Sequence, residues 1–367
     1  MKVIASTALL AALVHFGGFP QAWAAEAAHV HAPFPESPFQ PDLTPGYVLV
    51  EGDIQIPLAQ FLSLTSGGIQ AAGTFGPATL WPGGVVPFEF VLSGAGVVFP
   101  GNQTAAIDAM NAISARAGVV FRRAVFGDGN RIRFQNSQFN NSPVGMVGGT
   151  QIINIGSWGS EVIICHEIYH SLGFQHEQSR LDRGGFVTVN LANICGSGVS
   201  GGCTAGVAAG QCCLCVDNAG NCVPCNFNFN TVASSTTYGP YDFDSFMHYG
   251  RTDFSCNGLD TITVNEPWNA DWQDRIGNRD HFSYYDTINC RARYPFPNDR
   301  WLDRSHFGLP FGTFLGPFQS PILADTIAAV PGGGTLLVKY GSSYSAVGKH
   351  SKPVTIIAPI GDVFLGN

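Results

Sequence analysis

Three closely spaced histidines constrain this chain more than any other feature of its sequence. The stretch that begins at His166 reads H-E-x-x-H-x-x-G-F-x-H-E. His166 and His170 are one helical turn apart, so both imidazoles project from one face of a helix and can bind one ion from one side. Gly173 stands where a residue with positive φ would end that helix, which lets His176 approach the same ion from outside it. Three histidines with an open position are typical of a catalytic zinc site, and Glu167 could take a proton from the metal-bound water there. The chemistry implied is peptide hydrolysis.

The residues around the first two histidines predict the helix that carries them. Ser160 is a candidate N-cap, Glu161 falls in the first turn, and Ile164, Ile168 and Leu172 form an apolar row for the core. An H-E-x-x-H pattern alone often arises by chance, and the added glycine and third histidine make zinc the favoured interpretation. The remaining alternative at this stretch is a degenerate site that no longer cleaves.

The sequence after the third histidine resembles the astacin branch of the metzincin zinc metallopeptidases. Glu177 follows that histidine directly, and residues 178–183 and the strand-like residues 186–189 continue the pattern of this branch. The resemblance implies an α+β, zincin-like catalytic domain with a mixed twisted sheet, an active-site helix and a Met-turn, split by a horizontal cleft.

A second stretch of the same family pattern lies downstream, where residues 245–249 read S-F-M-H-Y. By the resemblance, Met247 is structural beneath the metal site. Tyr249 is then a fifth zinc ligand or a donor to the tetrahedral oxyanion. Without the histidine motif, both residues would be read as ordinary core.

Composition and the amino-terminal segment indicate an exported protein. Charged residues make up 12%, the net charge is −8 and 45 residues are glycine, which argues against nucleic-acid binding and for a loop-rich extracellular globule. Residues 1–24 have the three parts of a secretory signal peptide, and their apolar run is too short to span a bilayer. The ten cysteines are therefore expected to form disulfides.

Residues 25–71 are predicted to be a propeptide. Val50 and the residues after it read V-E-G-D-I and resemble the F-x-G-D-I switch of astacin-type propeptides, which implies that Asp53 takes the zinc position meant for water. The alternative is a plain turn, since Gly-Asp is common in turns. By the same resemblance the mature chain starts near Ala72, and its freed amino terminus reaches Glu177.

The catalytic domain is predicted to cover residues 72–295. Apolar spacing predicts a helix over 104–117, and strands are expected over 119–126 and 131–134. Residues 142–151 resemble the family's edge strand above the cleft, which could bind an extended peptide as an added strand.

A cysteine-dense insertion at 195–225 departs from the family pattern. A disulfide-stapled loop is favoured there over a second zinc site because the chain is predicted to be secreted. The number of loop cysteines is odd, so at least one must pair outside the loop or stay free. The loop cysteines are Cys195, Cys203, Cys212, Cys213, Cys215, Cys222 and Cys225, and the outside candidates are Cys165, Cys256 and Cys290.

The remaining residues, 296–367, resemble the opening turns of a right-handed parallel β-helix. A solenoid needs about three or more coils to bury its core, and this tail holds about two. It is either a truncated remnant or a segment that packs on the protease, and we assign it no catalysis.

Together these features predict a secreted, self-inhibited zinc endopeptidase with one catalytic Zn²⁺, acting on protein or peptide substrates. We expect no nucleic-acid partner and no membrane span, and the oligomeric state is not indicated. One rival hypothesis is a surface- or carbohydrate-binding protein in which the tail is the working part. Another is a pseudoprotease, against which the intact Glu167 argues.

Overall fold

A computed structural model gives the fold, and it describes residues 47–57, 79–206, 208, 210–216, 222–232, 239–303, 311, 313–314, 317–319, 323–339, 343–344, 351–359 and 363–365. The expected signal peptide and the expected mature start near Ala72 lie outside the described residues.

The described residues form sixteen strands, five α-helices and five short 3-10 helices. The strands are β1 (Tyr47–Val50), β2 (Ile54–Pro57), β3 (Val85–Phe90), β4 (Val120–Arg123), β5 (Arg131–Asn136), β6 (Ser142–Pro143), β7 (Thr150–Ile155), β8 (Val187–Val189), β9 (Cys215–Val216), β10 (Cys222–Val223), β11 (Ile262–Val264), β12 (Asp299–Leu302), β13 (Thr335–Val338), β14 (Ser343–Tyr344), β15 (Thr355–Ile357) and β16 (Phe364–Leu365). The α-helices are α1 (Pro100–Ser114), α2 (Glu161–Ser171), α3 (Asn269–Trp272), α4 (Tyr284–Arg293) and α5 (Leu323–Ala329). Short 3-10 helices cover Pro82–Gly84, Glu177–Ser179, Arg183–Gly185, Leu191–Asn193 and Asn226–Phe229.

The main sheet of the catalytic region supports the active-site helix. Its strands lie in the order β4-β3-β5-β7 and pair in parallel, and an antiparallel bridge from Asn141 to Asn154 makes the outer edge mixed. Helices α1 and α2 pack together against this sheet, which confirms the expected α+β class. The residues that pack there include Ile132, Phe134, Ile153, Ala109, Ile113, Ile164, Ile168 and Leu172.

Several expected boundaries were wrong by a few residues. Helix α1 begins at Pro100 rather than Thr104, because a proline at the first helical position loses no intrahelical hydrogen bond. It ends at Ser114 instead of Ala117. Strand β4 is shorter than the expected 119–126, β5 is longer than 131–134, and β8 confirms the strand-like reading of residues 186–189.

A hairpin from the predicted propeptide lies against the edge of the catalytic region. Strands β1 and β2 pair antiparallel, and β2 pairs in parallel with the two-residue strand β6. The expectation of one edge strand over residues 142–151 was too long, because only residues 142–143 pair with the hairpin and Thr150 already begins β7 of the main sheet. One face of the hairpin forms an apolar cluster with residues on both sides of it: Val48, Val50, Ile54 and Ile56 from the hairpin, Val144 after β6, and Val232 beyond the cysteine-rich insertion.

Disulfides staple the cysteine-rich insertion, as expected, and engage all seven of its cysteines. The bonds are Cys195–Cys212, Cys203–Cys256, Cys213–Cys222 and Cys215–Cys225. Sulfurs engaged in disulfides are not available as thiolate ligands, so the alternative of a second zinc site in this loop was wrong. Cys256 is the partner outside the loop. The other two candidates, Cys165 and Cys290, are free thiols buried in the catalytic core.

The carboxyl-terminal tail packs on the catalytic region. Strands β12, β13 and β15 are neighbours in one parallel sheet, and β14 and β16 form a second parallel pair. Trp301 is fully buried in a cluster with Phe314 and Leu337 of the tail and with Ile288 and Ala292 of α4. The last helix of the catalytic region therefore belongs to the core of the tail as well. The boundary near residue 295 stays a prediction.

Candidate metal centre

Helix α2 holds its two histidines on a rigid and well-capped scaffold. The hydroxyl of Ser160 accepts a hydrogen bond from the Ile163 amide at 3.3 Å. Glu161 lies in the first turn, where its negative charge interacts favourably with the positive end of the helix dipole. The helix ends before Gly173, whose φ of 97° few other residues could adopt. Its amide donates to the His170 carbonyl at 2.8 Å, and the chain turns back toward the helix. This turn brings His176 to the other two histidines.

The three imidazoles are buried and mutually close. Their ring centroids are 4.7 Å apart for His166 and His170, 4.8 Å for His170 and His176, and 5.3 Å for His166 and His176. The Nε2 atoms of His166 and His170 lie 3.1 Å apart. At this distance the two nitrogens are in direct contact with no water between them. A proton or a cation shared by the two nitrogens makes such a contact favourable.

Hydrogen bonds at the opposite ring nitrogens decide between these possibilities. Nδ1 of His166 lies 2.9 Å from the Phe246 carbonyl, and Nδ1 of His170 lies 2.8 Å from the Phe174 carbonyl. A carbonyl oxygen only accepts, so both Nδ1 atoms carry the proton and both Nε2 atoms carry a lone pair in the neutral ring. Burial lowers the pKa of both imidazoles, which favours this neutral form. Two converging lone pairs repel each other unless a cation lies between them.

Asp53 of the hairpin completes the donor set. One carboxylate oxygen lies 3.1 Å from His166 Nε2, and the other lies 3.1 Å from His176 Nε2 and 3.7 Å from His170 Nε2. The four donor atoms all lie within 4.8 Å of one another. Burial opposes the charge of Asp53, but the surrounding histidines outweigh it and hold its pKa below the usual range. Three imidazoles with one carboxylate suit zinc, so these residues fit the metal.

Glu167 lies beside this cluster and is also buried. Its Oε2 has no hydrogen-bond partner among the residues that the structure describes. Burial and then the nearby charge of Asp53 raise the pKa of this carboxyl well above its usual value. The predicted base is thus held close to a second carboxylate while the hairpin is in place.

The residues of the predicted Met-turn lie next to the histidines. Met247 is buried in the main core, and its carbonyl accepts a hydrogen bond from the Glu177 amide at 3.0 Å. The ring of Tyr249 packs 4.6 Å from that of His176, and its hydroxyl donates to the backbone carbonyl of Glu51. In this form Tyr249 contacts the hairpin through its hydroxyl.

Glu177 has partners within the catalytic region. Its Oε1 accepts from Nη1 of Arg180 and from the amide of Asp242, both at 2.9 Å. Burial raises the pKa of Glu177 to about 7 against the opposing charge of Arg180. The contact expected with a freed amino terminus near Ala72 falls on residues outside the described part of the chain.

Three residues that support the site were not predicted from the sequence. Asp286 at the start of α4 accepts from the Ser245 hydroxyl at 2.6 Å and from the Phe246 amide at 3.1 Å. Arg279 donates to the same Phe246 carbonyl that His166 uses, at 2.9 Å. Glu51 is the third, and its side chain lies 2.8 Å from Nδ1 of His176. Of these, only Asp286 had a sequence signal, because S-x-x-D at residues 283–286 is a capping-box pattern.

Comparisons with known proteins place the chain in context. A model of the family described as Astacin (Peptidase family M12A) matches residues 74–200 and 216–295, which is more than half of the chain. The unmatched stretch between these two parts lies in the cysteine-rich insertion.

Among the described residues, no helix has the length and apolar character needed to cross a membrane.

Individual relatives are similar over the same region. Zinc metalloproteinase nas-37 of Caenorhabditis elegans is 31% identical over 223 residues, which are 59% of this chain and 24% of that protein. High choriolytic enzyme 1 of Oryzias latipes is 30% identical over 216 residues, 58% of this chain and 67% of that protein. The solved structure of that enzyme, described as a hatching enzyme zinc-protease, covers 60% of this chain and 94% of its own, with 27% identity and a TM-score of 0.44.

Proposed function

Because the chain belongs to the astacin family, peptidase family M12A, we propose that it is a secreted zinc endopeptidase made as a self-inhibited zymogen. One observation carries the proposal. The Nε2 lone pairs of His166 and His170 converge at 3.1 Å, with His176 and Asp53 beside them, and this arrangement requires a cation. The ligands are then His166, His170 and His176, with Asp53 as the inhibitory ligand of the proprotein.

The residues around the ligands have distinct parts in peptide hydrolysis. Zinc bound there supplies a Lewis acid that polarises a peptide carbonyl and lowers the pKa of water toward neutrality. Glu167 takes the proton of the attacking water and returns it to the leaving amine. Tyr249 exchanges its hydrogen bond to Glu51 for one to the developing oxyanion. Met247 and Glu177 are structural, since their backbone hydrogen bond ties the third histidine to the Met-turn.

The substrate is an extended stretch of protein or peptide. Strand β6 lies at the edge of the catalytic region, and in the proprotein β2 occupies this edge. An edge strand binds a peptide through backbone groups, which suits an enzyme that cleaves main chains. Removal of the hairpin would free this edge together with the metal centre.

Latency follows from where the hairpin lies. Asp53 contacts all three histidines, which leaves no room there for the nucleophilic water, and it keeps Glu167 near a second negative charge. We assign residues 1–24 to a signal peptide, 25–71 to the propeptide, 72–295 to the protease domain with its insertion at 195–225, and 296–367 to the tail. The four disulfides support export to an oxidising compartment.

The test is casein cleavage by the proprotein and by the enzyme after limited proteolysis, each with and without a zinc chelator. We expect cleavage only after processing and only without the chelator. Glu167→Ala should abolish cleavage but still bind zinc. Glu161→Ala, on the same helix, is the control and should still cleave casein. Asp53→Ala should give the unprocessed protein some activity, but less than that of the processed enzyme, because β2 still occupies the edge at β6. Zinc binding without cleavage by the processed enzyme would contradict the peptidase assignment and favour a binding role.

A further inference from the structure

Each of the three histidines uses its outer ring nitrogen in a hydrogen bond, but the partners differ in kind. His166 and His170 donate to backbone carbonyls of the catalytic region, at Phe246 and Phe174. His176 instead has the carboxylate of Glu51 at 2.8 Å, and Glu51 belongs to the hairpin. The third imidazole is therefore oriented by a segment that processing would remove.

The Glu51 carboxylate is built into the site. Its side chain is 3% exposed and that of His176 is fully buried. The same Oε2 atom accepts a second hydrogen bond, from the Ser179 hydroxyl at 3.0 Å. Two donors from the catalytic region thus hold one oxygen of the hairpin, and they define the position of the carboxylate relative to the ring.

The backbone at this position indicates that the side chain matters. Glu51 adopts a φ of 52°, in the left-handed region that favours glycine. Its carbonyl accepts from the Tyr249 hydroxyl. A glycine would meet the demands of the backbone alone with less strain, but it would leave the Nδ1 proton of His176 and the Ser179 hydroxyl without their shared acceptor.

We propose that Glu51 is a positioning residue which orients His176 and slows loss of the metal from the proprotein. The inference rests on the proposed zinc site and latency. A carboxylate at the outer nitrogen fixes the ring and makes the ligand more basic, and losing such a partner costs about 10- to 100-fold in metal affinity. Asp53 blocks the centre, whereas Glu51 holds one of its ligands. Processing removes both, so the mature enzyme holds zinc less tightly than the proprotein.

The experiment measures zinc transfer from the full-length proprotein to a chromogenic chelator. Glu51→Ala should release zinc about tenfold faster or more. Glu51→Gln should fall between this variant and the unmodified protein, because an amide oxygen can accept both hydrogen bonds but carries no charge. Val50→Ala is the matched control, since it removes an apolar contact of the same hairpin and leaves Glu51 in place.

A spectroscopic measurement separates orientation of the ring from docking of the hairpin. The visible absorption of the cobalt-substituted proprotein should change in Glu51→Ala and stay unchanged in Val50→Ala. Equal release rates and equal spectra for these two variants would overturn the inference. If Glu51→Ala does not fold, Glu51→Gln replaces it in the test. A release rate and a spectrum for Glu51→Gln equal to those of the unmodified protein would also overturn the inference. Failure of the processed enzyme to cleave casein would instead contradict the peptidase assignment, and the release rates would still stand.

Discussion

Gly52 lies so close to Phe254 that a Cβ atom added to the glycine would be 2.6 Å from Cζ of the ring. Its φ of 83° is a second reason why no other residue fits the turn between β1 and β2. The turn that carries Asp53 is therefore shaped by contact with the catalytic region.

Gly52→Ala should weaken latency. The left-handed backbone costs an alanine about 1–2 kcal/mol, and the contact with Phe254 adds to it. Each 1.4 kcal/mol shifts the population of undocked hairpin about tenfold, so the uncleaved proprotein should gain activity by at least that factor. The measurement is peptide cleavage by unprocessed protein. Gly83→Ala shares the positive φ but has open space around it, and it should leave the rate unchanged. An unchanged rate in Gly52→Ala would show that the turn adapts without leaving the site.

Asp286→Asn should destabilise the Met-turn. Oδ2 of Asp286 accepts from the amides of Phe246 and Ser283, and Oδ1 accepts from the Ser245 hydroxyl. Asparagine has only one side-chain oxygen, so in either orientation of its amide at least one of these buried donors loses its acceptor. A buried donor without an acceptor lowers the free energy of unfolding by about 2 kcal/mol. Denaturant unfolding measures this loss. Zinc retention should fall too, because the Phe246 carbonyl holds His166. Asp108→Asn on the exposed face of α1 serves as the control. Unchanged unfolding in Asp286→Asn would show that these bonds have no net effect.

Asp242 should make the stability depend on pH. Burial and then the neighbouring Asp286 raise the pKa of this carboxyl to about 8, against about 3.9 in an unfolded chain. Between these values the native state holds a proton that the unfolded state has lost, so stability falls as the pH rises, by at most about 1.4 kcal/mol per unit. Asp242→Asn cannot ionise, and its free energy of unfolding should vary less between pH 5 and 8. Asp271→Asn, at an exposed site, should keep the original slope. The same slope in both variants would refute this role.

Trp301→Ala should loosen the tail from the catalytic region. Removing this fully buried ring from its place between α4 and the tail costs about 3–5 kcal/mol of unfolding free energy. The kcat/KM of the processed enzyme should stay unchanged, because the histidines lie on α2 and the turn after it. Phe311→Ala is the control, since Phe311 is 68% exposed. Loss of activity with intact folding would mean that the tail supports the metal site.

The sequence was most informative where function depends on local spacing. The interval between His166 and His170, with Ser160 before them and Gly173 after them, was enough to predict the helix, its cap and its end. These features depend on the geometry of a single helical turn. The family pattern around Met247 and Tyr249 likewise led to the residues that lie beside His176.

Contacts between distant segments were not predictable in this way. The hydrogen bonds of Asp286 to Ser245 and of Glu51 to His176 join residues that are 41 and 125 positions apart. A carboxylate in a loop has no periodicity that would reveal its partner. The disulfide pairing is of the same kind, because cysteine spacing limits the partners without choosing among them. The predicted start of α1 was wrong for another reason. A proline such as Pro100 can interrupt a helix or occupy its first position, and the sequence does not distinguish the two.

The parallel pairing of β2 with β6 has a consequence for handling the protein. Once the hairpin is gone, residues 142–143 become an unpaired sheet edge flanked by Val144 and Val232, whose apolar partners left with it. Bare edges and newly uncovered aliphatic side chains both promote self-association. If processing removes the hairpin as we propose, we expect the unprocessed protein to be the better storage form.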